Sequence, residues 1–319
     1  MKIVGTGSYV PSTILSNDDI SKFVETDDEW ITQRTGIKNR HISKGENTSD
    51  LAYEASLKAI KKAGITPAQI DLIIVATISA DSFMPSVANI VQKKLNIKKA
   101  MSFDINAACS GFVYALDVAK SLMDSGKFKY VLVVGAEVLS KITDWTDRNT
   151  CILFGDGAGA VVLENFSDNH LLYSNCTARP DMDNVLYTVG IPIINPLFKQ
   201  EPENYCIAMN GQEVFRFAVD VITDSINALV KETKILLKDI DYIVCHQANY
   251  RILKKVAKDL NHSEASFYTN LEEYGNTSAA SIPIALDEMN QKGLLKKDMK
   301  IIFVGFGAGL TWGCTLIKW

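Results

Sequence analysis

Ile70-Asp71-Leu72-Ile73-Ile74-Val75-Ala76-Thr77 is a continuous apolar run bounded by polar residues, the pattern of a strand covered on both faces. Ile240-Asp241-Tyr242-Ile243-Val244 restates its opening 170 positions later (240 − 70). Working outward, Ala115-Leu116-Asp117 returns as Ala285-Leu286-Asp287, and Val134-Gly135 as Val304-Gly305, both at the same offset (285 − 115, 304 − 134). Gly159–Leu163 matches Gly313–Ile317 only at 154 (313 − 159), so the first half carries 16 more residues (170 − 154), around Leu139–Phe154. One constant offset over three separated elements predicts a duplicated βαβ-rich unit, with two similar sheets packed together and helices between and outside them. The expected halves are residues 1–166 and 167–319, joined by a weak polar link near Asn165–Asn169 and sharing one core.

Local patterns fill in the first half. Leu51, Ala55 and Ala59 space a helix over Thr48–Ala63, and Gly64 supplies its stop. A second helix covers Ser86–Leu95, followed by a strand at Met101–Ile105, a long helix at Gly111–Met123 and a buried strand at Tyr130–Ala136. Gly155–Glu164 reads as a glycine-rich entry into a further strand. A helix lying between two sheets must be apolar nearly all round. Phe112, Val113, Ala115, Leu116, Val118, Ala119, Leu122 and Met123 meet that need, and Ser281–Met289 is the counterpart. The repeat therefore brings together the helix starts at Cys109 and at Asn276-Thr277-Ser278-Ala279-Ala280.

Bulk properties narrow the function classes. The 319 residues are 47% hydrophobic and 22% charged, with no apolar run near the roughly 18 residues of a membrane span. The opening MKIVGTGSYVPST reads as a first strand, Lys2–Val4, and a turn rather than a secretory signal. Six cysteines without CxxC spacing and four scattered histidines argue against a metal site and a disulfide framework, and point to a reducing cytoplasm. A net charge of −4 argues against general nucleic-acid binding.

Four stretches could carry chemistry. In Asp104-Ile105-Asn106-Ala107-Ala108-Cys109-Ser110-Gly111-Phe112 the thiol sits at a strand-to-helix turn, where unpaired N–H groups and the helix dipole favour thiolate; a buried structural cysteine is the alternative. Val244-Cys245-His246-Gln247-Ala248-Asn249 ends a buried strand, where ligands gather in α/β sheets; His246 faces the site and Cys245 the core. The glycines of Gly305-Phe306-Gly307-Ala308-Gly309 allow backbone N–H groups to approach an oxyanion, and no GK[ST] follows to make a phosphate loop. Arg251, Lys254, Lys255 and Lys258 fall on one helix face opposite Ile252, Leu253 and Val256, either as a plain solvated face or as a surface steering an acidic partner.

Taken together, INAACSGF around Cys109, HQAN at His246, YGNTSAASIPIAL at Asn276, the terminal GFGAGLTWG and the early DEWITQRTGI from Asp28 resemble β-ketoacyl-acyl-carrier-protein synthase III of bacterial type II fatty-acid synthesis. The resemblance spans essentially the whole chain. It implies a thiolase-like five-layer αβαβα sandwich of two related halves, and a homodimer. It also implies that Cys109 takes an acyl group from acyl-CoA, with the backbone N–H groups of Cys109 and Ala308 as oxyanion hole. His246 and Asn276 would hydrogen-bond the thioester carbonyl of malonyl-acyl-carrier protein as CO2 leaves. By the same resemblance Trp30 and Arg148 sandwich the CoA adenine, and Arg34, Thr35, Gly211, Asn249 and Arg216 line the pantetheine channel or its mouth. Arg216, Arg251, Lys254, Lys255 and Lys258 would receive the carrier protein. No permanently bound cofactor is implied, nor a metal, nucleic acid or membrane; acyl-CoA enters as substrate.

Two positions depart from the family pattern. Met84 stands where relatives commonly carry a Phe that reaches the partner subunit's acyl pocket, so a primer larger than acetyl, branched ones included, is expected. Ala308 replaces a frequent Gly, which is tolerable if its φ stays negative. A condensing enzyme that starts polyketide synthesis would use the same three residues, whereas a non-catalytic acyl-carrier binder would need no thiol.

Overall fold

A computed structural model describes residues 1–166, 168–201 and 203–319. The boundary expected between residues 166 and 167 therefore falls against a position outside the described residues. Strand β1 spans Lys2–Tyr9, helix α1 Asp28–Thr35, α2 Thr48–Lys62, β2 Leu72–Ala76, α3 Val87–Lys94, β3 Met101–Ile105, α4 Gly111–Met123, β4 Tyr130–Glu137 and β5 Gly157–Glu164. The order then returns with β6 Leu171–Ala178, α5 Gly211–Thr233, β7 Tyr242–Cys245, α6 Tyr250–Asp259, α7 Ser281–Gln291, β8 Lys300–Gly307 and β9 Thr311–Lys318.

The first sheet runs β1-β5-β4-β2-β3, with β2 parallel to β3 and β4, and β5 antiparallel to β4 and β1. The second runs β6-β9-β8-β7 in the same sense, with only β7 and β8 parallel. A single parallel bridge between Ile243 and Phe267 stands where β3 stands in the first sheet. The offset of 170 holds for β2 with β7 (242 − 72), α4 with α7 (281 − 111) and β4 with β8 (300 − 130); it falls to 154 for β5 with β9 (311 − 157). The 16 extra residues are the segment between β4 and β5, as the sequence indicates.

Alternation along each strand sorts its side chains between two cores. In β2, Leu72, Ile74 and Ala76 join the central cluster with Phe112, Leu116, Leu286 and Met289 of α4 and α7, while Ile73 and Val75 join an outer cluster with Leu51, Ala55 and Val91 of α2 and α3. In β8, Ile301 and Phe303 face the central helices; Ile302 and Val304 face Ile222 and Ile226 of α5 and Val256 of α6. The layers are thus helices, sheet, helices, sheet, helices. Strands wholly apolar in sequence are needed because neither face meets water, and each fully buried Leu or Phe contributes about 1.5–3 kcal/mol.

The helix starts are pressed onto the sheets by two glycines. A Cβ on Gly135 would lie 2.1 Å from the Ala279 carbonyl oxygen, and one on Gly305, its repeat partner (305 − 135 = 170), 2.8 Å from Ser110 Cα. No side chain fits at either contact, so the repeated glycines fix how closely α4 and α7 approach opposite sheets.

Candidate active site

The nucleophile turn is built from Asn106 onward. After β3 ends, Asn106 Oδ1 accepts from the Ala108 N–H at 3.3 Å, and Ala108 takes the left-handed φ of +46°. A 3₁₀ turn over Ala108–Ser110 leads directly into α4. Ser110 Oγ donates to the Ala107 carbonyl at 2.6 Å and locks the turn. A non-glycine residue at positive φ costs about 1–3 kcal/mol, a cost borne where a side chain must be aimed. Cys109 sits in this turn, 7% exposed.

The thiolate expected from the helix start is not the resting form. Burial pushes the Cys109 thiol up to about 12, outweighing the neighbouring donors, so the sulfur is protonated at rest.

The second half repeats the turn with other chemistry. Asn276 Oδ1 accepts from the Ser278 N–H at 2.9 Å, Ser278 has φ +48°, and a 3₁₀ turn over Ser278–Ala280 leads into α7. With its oxygen engaged, Asn276 has only its NH₂ left to offer a ligand. Its backbone N–H bonds the Leu153 carbonyl at 2.8 Å, which anchors it to the extra segment of the first half.

His246 follows β7 and is 2% exposed. Its Nδ1 lies 2.8 Å from Ser281 Oγ, which also accepts from the Gln247 N–H at 3.3 Å. A hydroxyl accepting that N–H directs its own proton to Nδ1, leaving Nε2 as the protonated, donating nitrogen. The ring stands edge-on to Phe306, centroids 5.0 Å apart, and burial lowers its pKa to about 3, so the imidazole is neutral.

Strand β8 brings a third backbone to the thiol. A Cβ on Gly307 would lie 2.6 Å from the Cys109 nitrogen, so the chain entering Ala308 runs against the nucleophile turn. Ala308 keeps an ordinary φ, while Gly309 and Leu310 take +70° and +45°. Cys245 packs in the outer core, as its position on β7 predicts.

One cavity of about 1440 Å³ joins these parts: Asn106, Cys109, His246, Asn276, Phe306 and Ala308 line it, as do Trp30, Arg34, Thr35, Gly211, Asn249, Arg216 and Arg251. Thr35 is buried and its hydroxyl donates to the Ile31 carbonyl at 2.7 Å. Asn249 joins two helix ends, donating to the Arg34 carbonyl at 2.9 Å and accepting from the Arg251 N–H at 2.8 Å. Around Trp30, where an adenine is expected between the indole and Arg148, the two side chains are in contact. The guanidinium carbons of Arg34 and Arg148 lie 4.6 and 4.7 Å from the indole centroid, and Arg148 also donates to the Glu25 carbonyl at 3.1 Å. An aromatic base held between two planes needs roughly 7 Å, two van der Waals contacts. Arg148 must swing outward before a base could enter.

Helix α6 presents Arg251, Lys254, Lys255 and Lys258 to solvent while Ile252, Leu253, Val256 and Ala257 are buried. Lys255 pairs with Asp259, and Arg216 with Glu213 at 2.7 Å. Met84 is apart from the cavity: with Phe83 it stands on an exposed loop, 84% and 83% accessible. Sequence reasoning passed over Asn106, Ser278, Ser281 and Glu137. The offset of 170 marks Asn106 as the partner of Asn276 (276 − 106) and Ser278 as that of Ala108 (278 − 108).

Comparison with known proteins agrees with this geometry. Residues 103–180 match the family model described as 3-oxoacyl-[acyl-carrier-protein] synthase III, and residues 230–319 its C-terminal model. A β-ketoacyl-[acyl-carrier-protein] synthase III of Clostridium beijerinckii is 54% identical, covering 100% of this chain and 99% of that protein. That of Clostridium acetobutylicum is 52% identical, covering 100% and 98%. The crystal structure of the Aquifex aeolicus 3-oxoacyl-[acyl-carrier-protein] synthase III superposes with TM-score 0.93 at 42% identity, covering 100% of this chain and 99% of that one. A priming β-ketosynthase of a polyketide pathway superposes at 0.92 with 30% identity, covering 99% and 95%. The thiolase-like sandwich and the thiol-centred cavity are thus those of a condensing enzyme, and the chain belongs to the β-ketoacyl-[acyl-carrier-protein] synthase III family.

Proposed function

We propose that the chain joins an acyl-CoA primer to malonyl-acyl-carrier protein with loss of CO2, giving a 3-ketoacyl-acyl-carrier protein and starting fatty-acid synthesis. The observation that carries this reading is the convergence of Cys109, His246 and Asn276 on one deep cavity in a chain with full-length relatives of that name. Cys109 Sγ takes the acyl group as a thioester, and the N–H groups of Cys109 and Ala308 stabilise the tetrahedral oxyanion. His246 Nε2–H and the Asn276 NH₂ then donate to the malonyl thioester oxygen as decarboxylation places enolate charge there. Two neutral, preorganised donors suit that step, because their bonds strengthen as the charge develops. The resulting carbanion attacks acyl-Cys109.

In this reading the pantetheine arm runs past Asn249, Gly211 and Thr35, with the adenine taken between Trp30 and Arg148 once that guanidinium moves. Arg216, Arg251, Lys254, Lys255 and Lys258 form the landing surface for the acidic carrier protein. Exposed Phe83 and Met84, together with β3 as an edge strand of the first sheet, support a homodimer in which Met84 shapes the partner's primer pocket. Six free cysteines support a reducing cytoplasm, and no helix among the described residues is long and apolar enough to cross a membrane. Intact-mass measurement after incubation with acetyl-CoA tests the first half-reaction. One acetyl group should be gained and be absent in Cys109→Ala; no gain in the parent chain overturns the proposal.

A further inference from the structure

The two N–H groups assigned above to the oxyanion come from different halves of the chain: Cys109 lies in the turn before α4, and Ala308 directly follows β8. Such donors stabilise a developing charge only if their relative position holds to a fraction of an ångström. Glycine packing brings the two turns together. A Cβ on Gly305 would lie 2.8 Å from Ser110 Cα, and one on Gly307 2.6 Å from the Cys109 nitrogen, so backbone meets backbone. That contact is non-directional: it limits how near the turns come and does not fix how they slide past one another.

Two hydroxyls supply the missing direction. Ser110, fully buried, and Thr311, the first residue of β9, stand 2.8 Å apart, oxygen to oxygen. Thr311 Oγ1 also lies 3.1 Å from the carbonyl oxygens of both Ala107 and Ala308, and Ser110 Oγ lies 2.6 Å from that of Ala107. Each hydroxyl has one proton to give. A chain from Ser110 Oγ–H to Thr311 Oγ1, and from Thr311 Oγ1–H to the Ala308 carbonyl, spans the two turns, with the Ala107 carbonyl as second acceptor of both protons. The pinned carbonyls flank the donors. Ala308 carries both the bonded carbonyl and the N–H, and only Ala108, at φ +46°, separates Ala107 from Cys109. Thr311 is itself held firmly: it pairs with Gly307 on one side and Ala178 on the other, and its branched side chain has few rotamers.

The scaffold does not require the pair. Across the pseudo-twofold, the Ala280 N–H closes its turn onto the Thr277 carbonyl at 3.0 Å, as the Ser110 N–H does onto Ala107 at 3.1 Å. The residues equivalent to Ser110 and Thr311 are Ala280 (280 − 110 = 170) and Gly157 (311 − 157 = 154), and neither has a hydroxyl. Gly157 pairs with Glu137 in the first sheet just as Thr311 pairs with Gly307 in the second. The hydroxyl pair is present beside the thiol and absent from the matching place in its twin.

We propose that the Ser110–Thr311 hydroxyl pair positions the two oxyanion donors, the N–H groups of Cys109 and Ala308, relative to each other, an inference that rests on the acyl-Cys109 reading above. Both are positioning residues, acting through the backbone they hold. The same donors meet an oxyanion when acyl-CoA acylates Cys109 and again when the carbanion attacks acyl-Cys109, so both half-reactions depend on the pair. Binding of acyl-CoA, before charge develops, does not.

Single-turnover acylation of the full chain is followed by CoA release and intact mass over a range of acetyl-CoA concentrations, in the parent, Thr311→Val, Thr311→Ser and Ser110→Ala. Condensation is followed by 3-ketoacyl product. Thr311→Val keeps the branched shape and loses the hydroxyl. Its limiting rate should fall in both half-reactions by about ten-fold or more, toward the 10²-fold scale of an ångström's misplacement, at an unchanged half-saturating acetyl-CoA concentration. Thr311→Ser should restore most of the loss. Ser110→Ala should also slow both steps, and adding it to Thr311→Val should cost little more, as for two ends of one chain. Every variant should still reach one acetyl group, because a partly unfolded population lowers that end point and not the rate. If Thr311→Val does not fold, Ser110→Ala decides alone, since alanine already fills the equivalent place at 280. An unchanged limiting rate, a loss that Thr311→Ser does not restore, or a raised half-saturating concentration alone overturns the positioning role and leaves acyl-Cys109 standing. A parent chain that releases no CoA and gains no acetyl mass overturns the acyl-Cys109 reading itself, and the positioning role with it.

Discussion

Asn106 and Asn276 occupy the same place in the two halves, and each folds its side-chain oxygen onto the backbone N–H two residues ahead. Each thereby sets a left-handed residue, Ala108 or Ser278, at the start of a central helix. The same local device aims a thiol in one half and frees an amide donor in the other.

Asn276→Asp keeps that acceptor but replaces the donating NH₂ with an oxygen. Condensation should fall by about 10²–10³-fold, the loss seen when one oxyanion donor is removed, while acylation of Cys109 proceeds. Separate assays of CoA release and of 3-ketoacyl product check the split. Equal losses in both half-reactions would sink it.

Ser281→Ala removes the hydroxyl that directs its proton to His246 Nδ1. The imidazole can then populate the other tautomer, with Nε2 unprotonated, and condensation should slow by about ten-fold or more with little change in acylation. The ¹⁵N shifts of His246 report the tautomer directly; an unchanged spectrum with an unchanged rate contradicts the assignment.

Met84→Phe is expected to narrow the range of acyl-CoA primers, because a rigid ring replaces a side chain that repacks freely. The ratio of kcat/KM for isobutyryl-CoA to that for acetyl-CoA should drop. An unchanged ratio removes Met84 from primer selection.

Glu137, fully buried at the end of β4, leaves a mark on stability. Burial raises its folded pKa to about 7, above the ordinary carboxylate value of 4.5, so between these values the folded chain binds more protons than the unfolded one. Stability from this group is present below about 4.5 and is lost as pH rises through 7, on the order of 3 kcal/mol in all. His246, depressed to about 3, contributes with the opposite sign, but equally in parent and Glu137→Gln. From pH 5 to pH 8 the urea midpoint of the parent should therefore fall relative to that of Glu137→Gln measured at the same pH. Identical pH dependence would refute the shift.

The sandwich was legible because its strands are buried on both faces and its repeat keeps one offset; Ile70–Ile74 against Ile240–Val244 sufficed to pair β2 with β7. Cys109, His246 and Asn276 were legible as strand-end and helix-start residues of matched halves. The protonation of Cys109 was not. A helix start argues for thiolate, and only packing shows that desolvation wins. Glu137 hid inside an apolar strand, where a single acidic residue gives no spacing signal. Ser281 looks like a small residue chosen for packing, since its hydroxyl acquires meaning only against His246. The closure of Arg148 onto Trp30 depends on side-chain rotamers that no linear pattern encodes.

Ala279 holds the place in the second turn that Cys109 holds in the first (279 − 109 = 170), and its carbonyl is pressed against Gly135. A symmetric scaffold thus ends with an unequal pair: one turn armed with sulfur, the other with a methyl group. On the proposed reading, acyl capture stops at one group per chain however much donor is supplied, and the halves cannot trade roles.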